Sequence, residues 1–283
     1  SVVITGAASG IGEALAMHCA SVGAYLLLAD IDATGLDRVA LAVRKTGATC
    51  YIKTVDTGNE DAIFSLAAYA IDTMGGADIV INNAGVGLVA PVGGLQTVDA
   101  QWLMNINFWG VVNGCRAFLP QLRKRDDAVL VNISSIFAMV SVPTQSMYNA
   151  SKAAVRAFSD SVREELLGSG VDVLSVHPGG IKTNIANKSR IVDVSMIADT
   201  PQEMRDNFTR LARTTPEEAA AVIVRAIERR QTRVLIGADA KVMDWLFRLF
   251  PARASHWTSA FGQWLRAKAQ ARAGRNAEKA ATP

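Results

Sequence analysis

Short apolar runs, most of them without polar alternation, recur along the chain at 2–5, 25–30, 49–55, 77–82, 128–134, 172–177 and 233–236. Continuous Val, Ile and Leu content of this kind predicts strands buried on both faces. Between the runs the pattern takes a helical period. Ile11, Leu15 and Cys19 fall on one face after the first run, and Ala154, Phe158, Ser161 and Val162 share one before the sixth. Strand–helix alternation through residue 236 predicts an α/β fold: a doubly wound parallel sheet of about seven strands with right-handed crossovers and helices on both faces.

Two segments break the alternation. Residues 183–214 have mixed polarity and no clear strand. Their position beyond a strand's carboxyl end predicts a substrate lid, with a plain helical pair over the sheet edge as the alternative. Residues 239–283 form a second departure, so the chain divides into a catalytic domain at 1–238 and a C-terminal extension. In that extension Trp245, Leu246, Leu249 and Phe250 share one helical face, Pro251 interrupts, and Trp257, Phe261, Trp264 and Leu265 share another. Two amphipathic helices over 239–271 are expected, covering apolar surface and enlarging a homo-oligomer contact. Peripheral contact with a membrane is the alternative.

Composition narrows the classes. Half of the residues are apolar and 19% are charged, which suits a packed core and excludes wholesale disorder. Cys19, Cys50 and Cys115 are widely spaced, so a disulfide scaffold is excluded and a reducing, cytoplasmic setting is expected. The first residues already read as a strand, and no targeting segment is expected. The uncharged run 128–151 carries Asn132, Ser134, Ser135, Pro143, Gln145 and Asn149, a polar load that no lipid-facing helix bears. From Lys241 onward eight basic residues face two acidic ones, a net +6, while the remainder of the chain is −3. The basic character is therefore local, and no nucleic-acid partner is expected. No His, Cys or carboxylate cluster has metal-ligand spacing, so no metal is expected.

The residues that carry chemistry begin with Thr5-Gly6-Ala7-Ala8-Ser9-Gly10-Ile11-Gly12, which follows a strand and opens a helix. Glycines there let the backbone approach a pyrophosphate, and the helix N-terminus offers it free N–H groups and positive dipole. Asp30 ends the second strand, where a carboxylate can accept from both ribose hydroxyls and repel a 2′-phosphate. Neither Ser9 nor Ile31 supplies a cation, so NAD is favoured over NADP. A helix-capping role is the alternative for Asp30, although Asp32 could serve there.

Tyr148 and Lys152 stand at i and i+4, on one face of a helix. A phenol is a poor base at neutral pH, and a neighbouring ammonium favours the phenolate. Ser135, just past the fifth strand, can hold a substrate oxygen beside that phenol.

Taken in order, the Thr5–Gly12 turn, Asn82-Asn83-Ala84-Gly85, Asn107, Ser135, Tyr148-x-x-x-Lys152 and Pro178-Gly179 followed by Thr183 resemble the short-chain dehydrogenase/reductase family over residues 1–237. The resemblance implies a Rossmann fold and a catalytic set of Asn107, Ser135, Tyr148 and Lys152. Tyr148 would be the acid/base, Lys152 would lower its pKa and bind the nicotinamide ribose, Ser135 would polarise the substrate oxygen, and Asn107 would hold a relay water. It also implies cofactor contacts at Gly6, Ser9, Gly10, Ile11, Gly12, Asp30, Asp56, Asn83, Ala84, Gly85, Tyr148, Lys152, Pro178, Gly179, Ile181 and Thr183. Family spacing selects Ser135 over Ser134 and Asn107 over Asn105, and His177 is not assigned to the chemistry.

The expected activity is an NAD(H)-dependent oxidoreductase that interconverts a secondary alcohol and a ketone, as a homodimer or homotetramer. The apolar residues between Ser135 and Tyr148 and in the lid suggest an apolar substrate. A non-catalytic dinucleotide sensor, and a lyase or epimerase on the same fold, are the alternatives.

Overall fold

A computed structural model describes residues 1–253. Seven strands form one parallel sheet: β1 (Val2–Thr5), β2 (Leu26–Asp30), β3 (Cys50–Thr54), β4 (Ile79–Asn82), β6 (Ala128–Ile133), β7 (Val171–Pro178) and β9 (Arg233–Ile236), in the order β3-β2-β1-β4-β6-β7-β9. The predicted runs all become strands, their ends displaced by at most two residues. The register is set by alternation that is apolar on both sides. Val2, Ile4, Leu26 and Leu28 point to one face, while Val3, Leu27 and Ala29 point to the other. The first face is covered by α1 (Gly10–Ser21), α2 (Ala33–Lys45) and α9 (Pro216–Glu228); the second by α3 (Glu60–Met74), α5 (Gly110–Leu122) and α6 (Ser146–Glu165). The order reverses between β1 and β4, and the carboxyl-end crevice at such a switch point is where doubly wound sheets bind ligands.

Local chemistry fixes the helix starts. Asp32 caps α2 by accepting from Gly35 N at 3.0 Å, Asn59 caps α3, and Thr215 and Glu218 form a reciprocal capping box at α9 with Pro216 at its first position. A buried polar chain pins the second layer: Asn82 donates to Asn132 at 2.9 Å, and Asn132 donates to Ser159 at 3.0 Å. It joins β4, β6 and α6 in one register, because each amide left unpaired there would cost its full desolvation.

The segment 183–214 differs from its sequence reading in one respect. It contains a two-residue strand, β8 (Arg190–Ile191), which pairs in parallel with β5 (Leu88–Val89) outside the main sheet. The strand is too short for a periodic signal and exists only through this distant pairing. α7 (Ile185–Lys188) precedes it and α8 (Pro201–Leu211) follows it. Arg190 anchors the segment, with an ion pair to Asp99 at 2.9 Å and its guanidinium 3.7 Å from the centre of the Trp102 ring.

The extension begins with α10 (Ala238–Leu249). It covers apolar surface, but with the face opposite to the expected one. Ala240, Met243 and Phe247 pack against Ile136, Phe137, Met139 and Val140, whereas Trp245, Leu249 and Phe250 are exposed. Spacing alone finds two apolar stripes on this helix and cannot say which one the domain takes. The expected second helix, with Trp257, Phe261, Trp264 and Leu265, lies outside the described residues. Among the described residues no helix is long and apolar enough to cross a membrane.

Candidate active site

The glycine turn is built by close backbone contact. Gly6 and Gly10 adopt φ +65° and +58°, in the left-handed region that favours glycine. A Cβ at Gly12 would stand 2.1 Å from the Gly6 carbonyl oxygen, and one at Gly6 would stand 2.7 Å from Ala84 Cα. Asn83 closes the turn from the side, donating to the carbonyls of Thr5 (2.9 Å) and Gly6 (3.0 Å), while Thr5 Oγ1 accepts from the N–H groups of Asn83 and Ala84. The Asn83 side chain is thus spent on the turn itself. Ser9 heads α1 without a side-chain cap, so the first-turn N–H groups keep their capacity for an anion. The bare backbone cradle and those donors fit a dinucleotide pyrophosphate.

At the end of β2, the half-buried Asp30 accepts from Ala8 N at 2.9 Å and from Asp32 N at 3.0 Å. Helix capping falls to Asp32, which removes the alternative reading of Asp30. One expectation is corrected here: a cation does lie nearby. Arg38, one turn into α2, donates to the Ala8 carbonyl at 3.0 Å and is held by Glu13 at 2.5 and 2.7 Å. Sequence adjacency to Asp30 could not reveal it, because α2 folds back over the turn. The exposed Asp56 accepts from Gly58 N at 2.8 Å after β3.

Asn107 lies in a π-helical turn (Asn105–Trp109) between α4 (Thr97–Met104) and α5, fully buried. Such turns re-aim a side chain out of the regular ladder. Its amide exchanges bonds with the backbone of Val86, accepting at 2.8 Å and donating at 2.9 Å, and donates to Ser151 at 3.3 Å. A Cβ at Gly85 would stand 3.3 Å from Asn107 Oδ1 and 3.4 Å from Lys152 Nζ, so these three residues converge.

Ser135 follows β6, and its hydroxyl accepts from Phe137 N at 3.1 Å. Ser134 instead donates to the Lys152 carbonyl at 2.8 Å, a buried bond that pins α6 to β6. Tyr148 and Lys152 share the first turns of α6, with Nζ 5.9 Å from the Tyr148 ring centre. The Phe137 ring stands edge-on to Tyr148 at 6.1 Å.

The titration of this pair differs from the sequence expectation. Burial raises the Tyr148 pKa, and a hydrogen bond with Ser135 opposes the rise. Burial brings Lys152 down to about 8. Its ammonium donates to the Ile133 carbonyl at 3.0 Å rather than sitting against the phenolic oxygen. In the chain alone, therefore, desolvation outweighs the stabilisation of phenolate by lysine.

Pro178 ends β7, and Gly179 N donates to the Ile236 carbonyl at 2.9 Å. Ile181 bridges Thr214, and Thr183 Cγ2 lies 3.1 Å from a Cβ position at Gly10, so this loop reaches the glycine turn. Lys188 of α7 pairs with Asp32 at 3.6 Å, crossing from the segment 183–214 to the end of β2.

One site neighbour escapes sequence reasoning. Asp239 accepts from Gly180 N at 2.7 Å, and its carboxylate fills the space where a Cβ of Gly179 would lie. Standing on α10, in the extension, it holds the loop after β7. His177, fully buried behind Ser135, is lowered to about 4, chiefly by desolvation. Its Nδ1 lies 3.3 Å from the Ser135 carbonyl and its Nε2 3.1 Å from Ser175 Oγ. A carbonyl only accepts, so Nδ1 carries the proton and Ser175 donates to Nε2. At neutral pH it is an uncharged side chain packed behind Ser135. Among the described residues no group of three metal-ligating side chains comes together.

A glycine turn at a switch point, with a Ser, Tyr and Lys converging across the crevice, defines a nicotinamide-dinucleotide oxidoreductase of the Rossmann class. Residues 1–192 match the short chain dehydrogenase family, and the chain belongs to it. It is similar to SadH of Mycobacterium tuberculosis, 39% identical over 250 residues that span 87% of this chain and 89% of that protein. It is also similar to dehydrogenase/reductase SDR family member 7B of Xenopus tropicalis, 31% identical over 88% of this chain and 81% of that one. Among solved structures, a short-chain dehydrogenase/reductase from Burkholderia phymatum in complex with NAD aligns with TM-score 0.78 and 28% identity over 88% of this chain and 94% of that chain.

Proposed function

We propose that the protein interconverts a secondary alcohol and a ketone, with NAD preferred over NADP and an apolar substrate. The observation that carries this reading is the convergence of Tyr148, Ser135 and Lys152 at the carboxyl end of the sheet, opposite the glycine turn. When bound, the dinucleotide supplies or accepts the hydride. Tyr148 then moves the proton, donating its hydroxyl hydrogen to the carbonyl oxygen in reduction and taking it back in oxidation. The Ser135 hydroxyl donates to the same oxygen and polarises it. Lys152 binds the nicotinamide ribose and favours the phenolate, and Asn107 supports a proton relay behind it.

Around the dinucleotide, Gly6, Ser9, Gly10, Ile11 and Gly12 take the pyrophosphate, Asp30 the adenosine ribose and Asp56 the adenine. The backbone of Asn83, Ala84 and Gly85 lines the ribose, while Pro178, Gly179, Ile181 and Thr183 flank the nicotinamide. Support for an apolar substrate comes from Phe137 and Met147 beside Tyr148 and from Val192 and Met196 in the lid. A cytoplasmic homodimer or homotetramer completes the reading.

The test is a panel of secondary alcohols with NAD, followed as NADH absorbance, for the parent and Tyr148→Phe. Parent turnover that falls by roughly 10²–10⁴-fold in the variant, with NAD binding kept, supports the assignment. Near-normal turnover by Tyr148→Phe overturns it.

A further inference from the structure

The helix α10 has two apolar faces, and the domain uses one. Ala240, Met243, Asp244 and Phe247 turn inward, where Asp244 also pairs with Arg233 at 2.6 Å. Diametrically opposite, Val242, Trp245 and Leu249 form a second stripe, each more than half exposed at 57, 58 and 52%. No other described residue covers it. Large apolar side chains gathered on one exposed face mark a contact surface.

The charge around this face says what covers it. Lys241 and Arg248 lie together on its flank and Arg253 follows the helix, all exposed, with Arg248 also paired to Asp244 at 2.9 Å. The sequence then continues with Trp257, Phe261 and Trp264, followed by Arg266, Lys268, Arg272, Arg275 and Lys279 against a single carboxylate side chain, Glu278. A symmetric contact with a second copy of the chain would bring these like charges against each other, which costs affinity. A stripe of Trp, Leu and Val flanked by Lys and Arg, continuing into a segment rich in aromatic and cationic residues, is complementary to an anionic lipid surface instead.

We infer that α10 docks the protein on anionic membranes, with Val242, Trp245 and Leu249 in the headgroup–acyl boundary and Lys241 and Arg253 against lipid phosphates. The inward face packs on the segment after Ser135, so the docked orientation sets that flank of the domain toward the lipid. This inference does not depend on the reaction assigned above.

The full chain is sedimented with phosphatidylcholine vesicles and with vesicles containing about one third phosphatidylglycerol. Cosedimentation with the anionic vesicles only, weakened by added salt, is expected. Trp245→Glu with Leu249→Glu is expected to reduce the bound fraction about tenfold or more while keeping turnover of a soluble alcohol. Brominated acyl chains are expected to quench tryptophan emission of the parent more than that of Trp245→Phe, a variant that preserves packing. Three results overturn the inference: no binding to anionic vesicles, binding indifferent to both variants, or a double variant that binds normally but changes oligomeric state, which assigns the face to a second copy of the chain.

Discussion

Replacing Asp30 by Ala tests the cofactor preference at its source. A second anion held about 4 Å from the carboxylate costs about 1 kcal/mol in water-like surroundings and about 4 kcal/mol at the effective dielectric of a protein surface. Asp30 is half-buried, between these limits. Its repulsion of a 2′-phosphate therefore supports a preference for NAD of at least tenfold in kcat/KM, about 1.4 kcal/mol. Arg38 works in the opposite sense, but its guanidinium is tied to Glu13 by two bonds. Asp30→Ala removes the carboxylate that repels a 2′-phosphate while Arg38 stays in place, and the NAD/NADP ratio is expected to fall by about tenfold or more. Glu13→Gln is expected to move the ratio the same way by several-fold, raising activity with NADP and leaving NAD nearly untouched.

Initial rates are measured with both cofactors on one alcohol and reported as the ratio of kcat/KM. The ratio matters because Asp30 also accepts from Ala8 N and Asp32 N. Losing these charge-assisted bonds costs about 1–3 kcal/mol of stability, which lowers both activities together and cancels in the ratio. Equal use of NADP by the parent, or an unchanged ratio in Asp30→Ala, refutes the reasoning.

Further outcomes follow from the same geometry. Tyr148→Phe is expected to retain NAD binding in calorimetry while losing turnover, which separates proton transfer from cofactor affinity. Lys152→Met is expected to raise the melting temperature near pH 7 while abolishing activity. The folded-state pKa is lowered from 10.5 to about 8, so the native chain binds fewer protons than the unfolded chain between those values, and parent stability rises with pH across that window. The advantage of Lys152→Met is then expected to shrink from pH 8 to 10.5, and a variant less stable than the parent at pH 7 contradicts the assignment. Asp239→Asn, which weakens the bond to Gly180 N, is expected to raise the KM for NAD several-fold with a smaller change in kcat, because it acts only through the loop after β7.

The sequence was most informative where one residue type carries a backbone constraint. Gly6, Gly10 and Gly12 could be read in advance because the turn leaves no room for side chains there. The seven strands were legible because burial on both faces leaves a continuous apolar run. Tyr148 and Lys152 were legible because one helix sets their spacing. What was missed depends on contacts distant in sequence. The β5–β8 pair joins residues about a hundred positions apart. Arg38 reaches the turn only because α2 folds back over it, and Asp239 reaches Gly180 from a helix assigned to another unit. The raised Tyr148 pKa was missed for a related reason. Spacing shows that a lysine is near, but only the packed site shows that both groups are desolvated and that the ammonium is turned toward Ile133.

That desolvation ties selectivity to proton chemistry. The apolar side chains around Tyr148, with Phe137 edge-on to its ring, are those that suit an apolar substrate, and they also disfavour charge on the phenol and on Lys152. A polar substitution in this lining would admit water, return both pKa values toward their ordinary positions and weaken every hydrogen bond to the substrate oxygen together. The lining therefore cannot be altered for a more polar substrate without altering the acid. A phenol kept protonated at neutral pH is poised to donate, and the reverse reaction needs the phenolate. If Tyr148 is the acid/base, alcohol oxidation is expected to gain as pH rises toward the raised Tyr148 pKa, and a rate of oxidation that is flat or falls across that range contradicts the assignment.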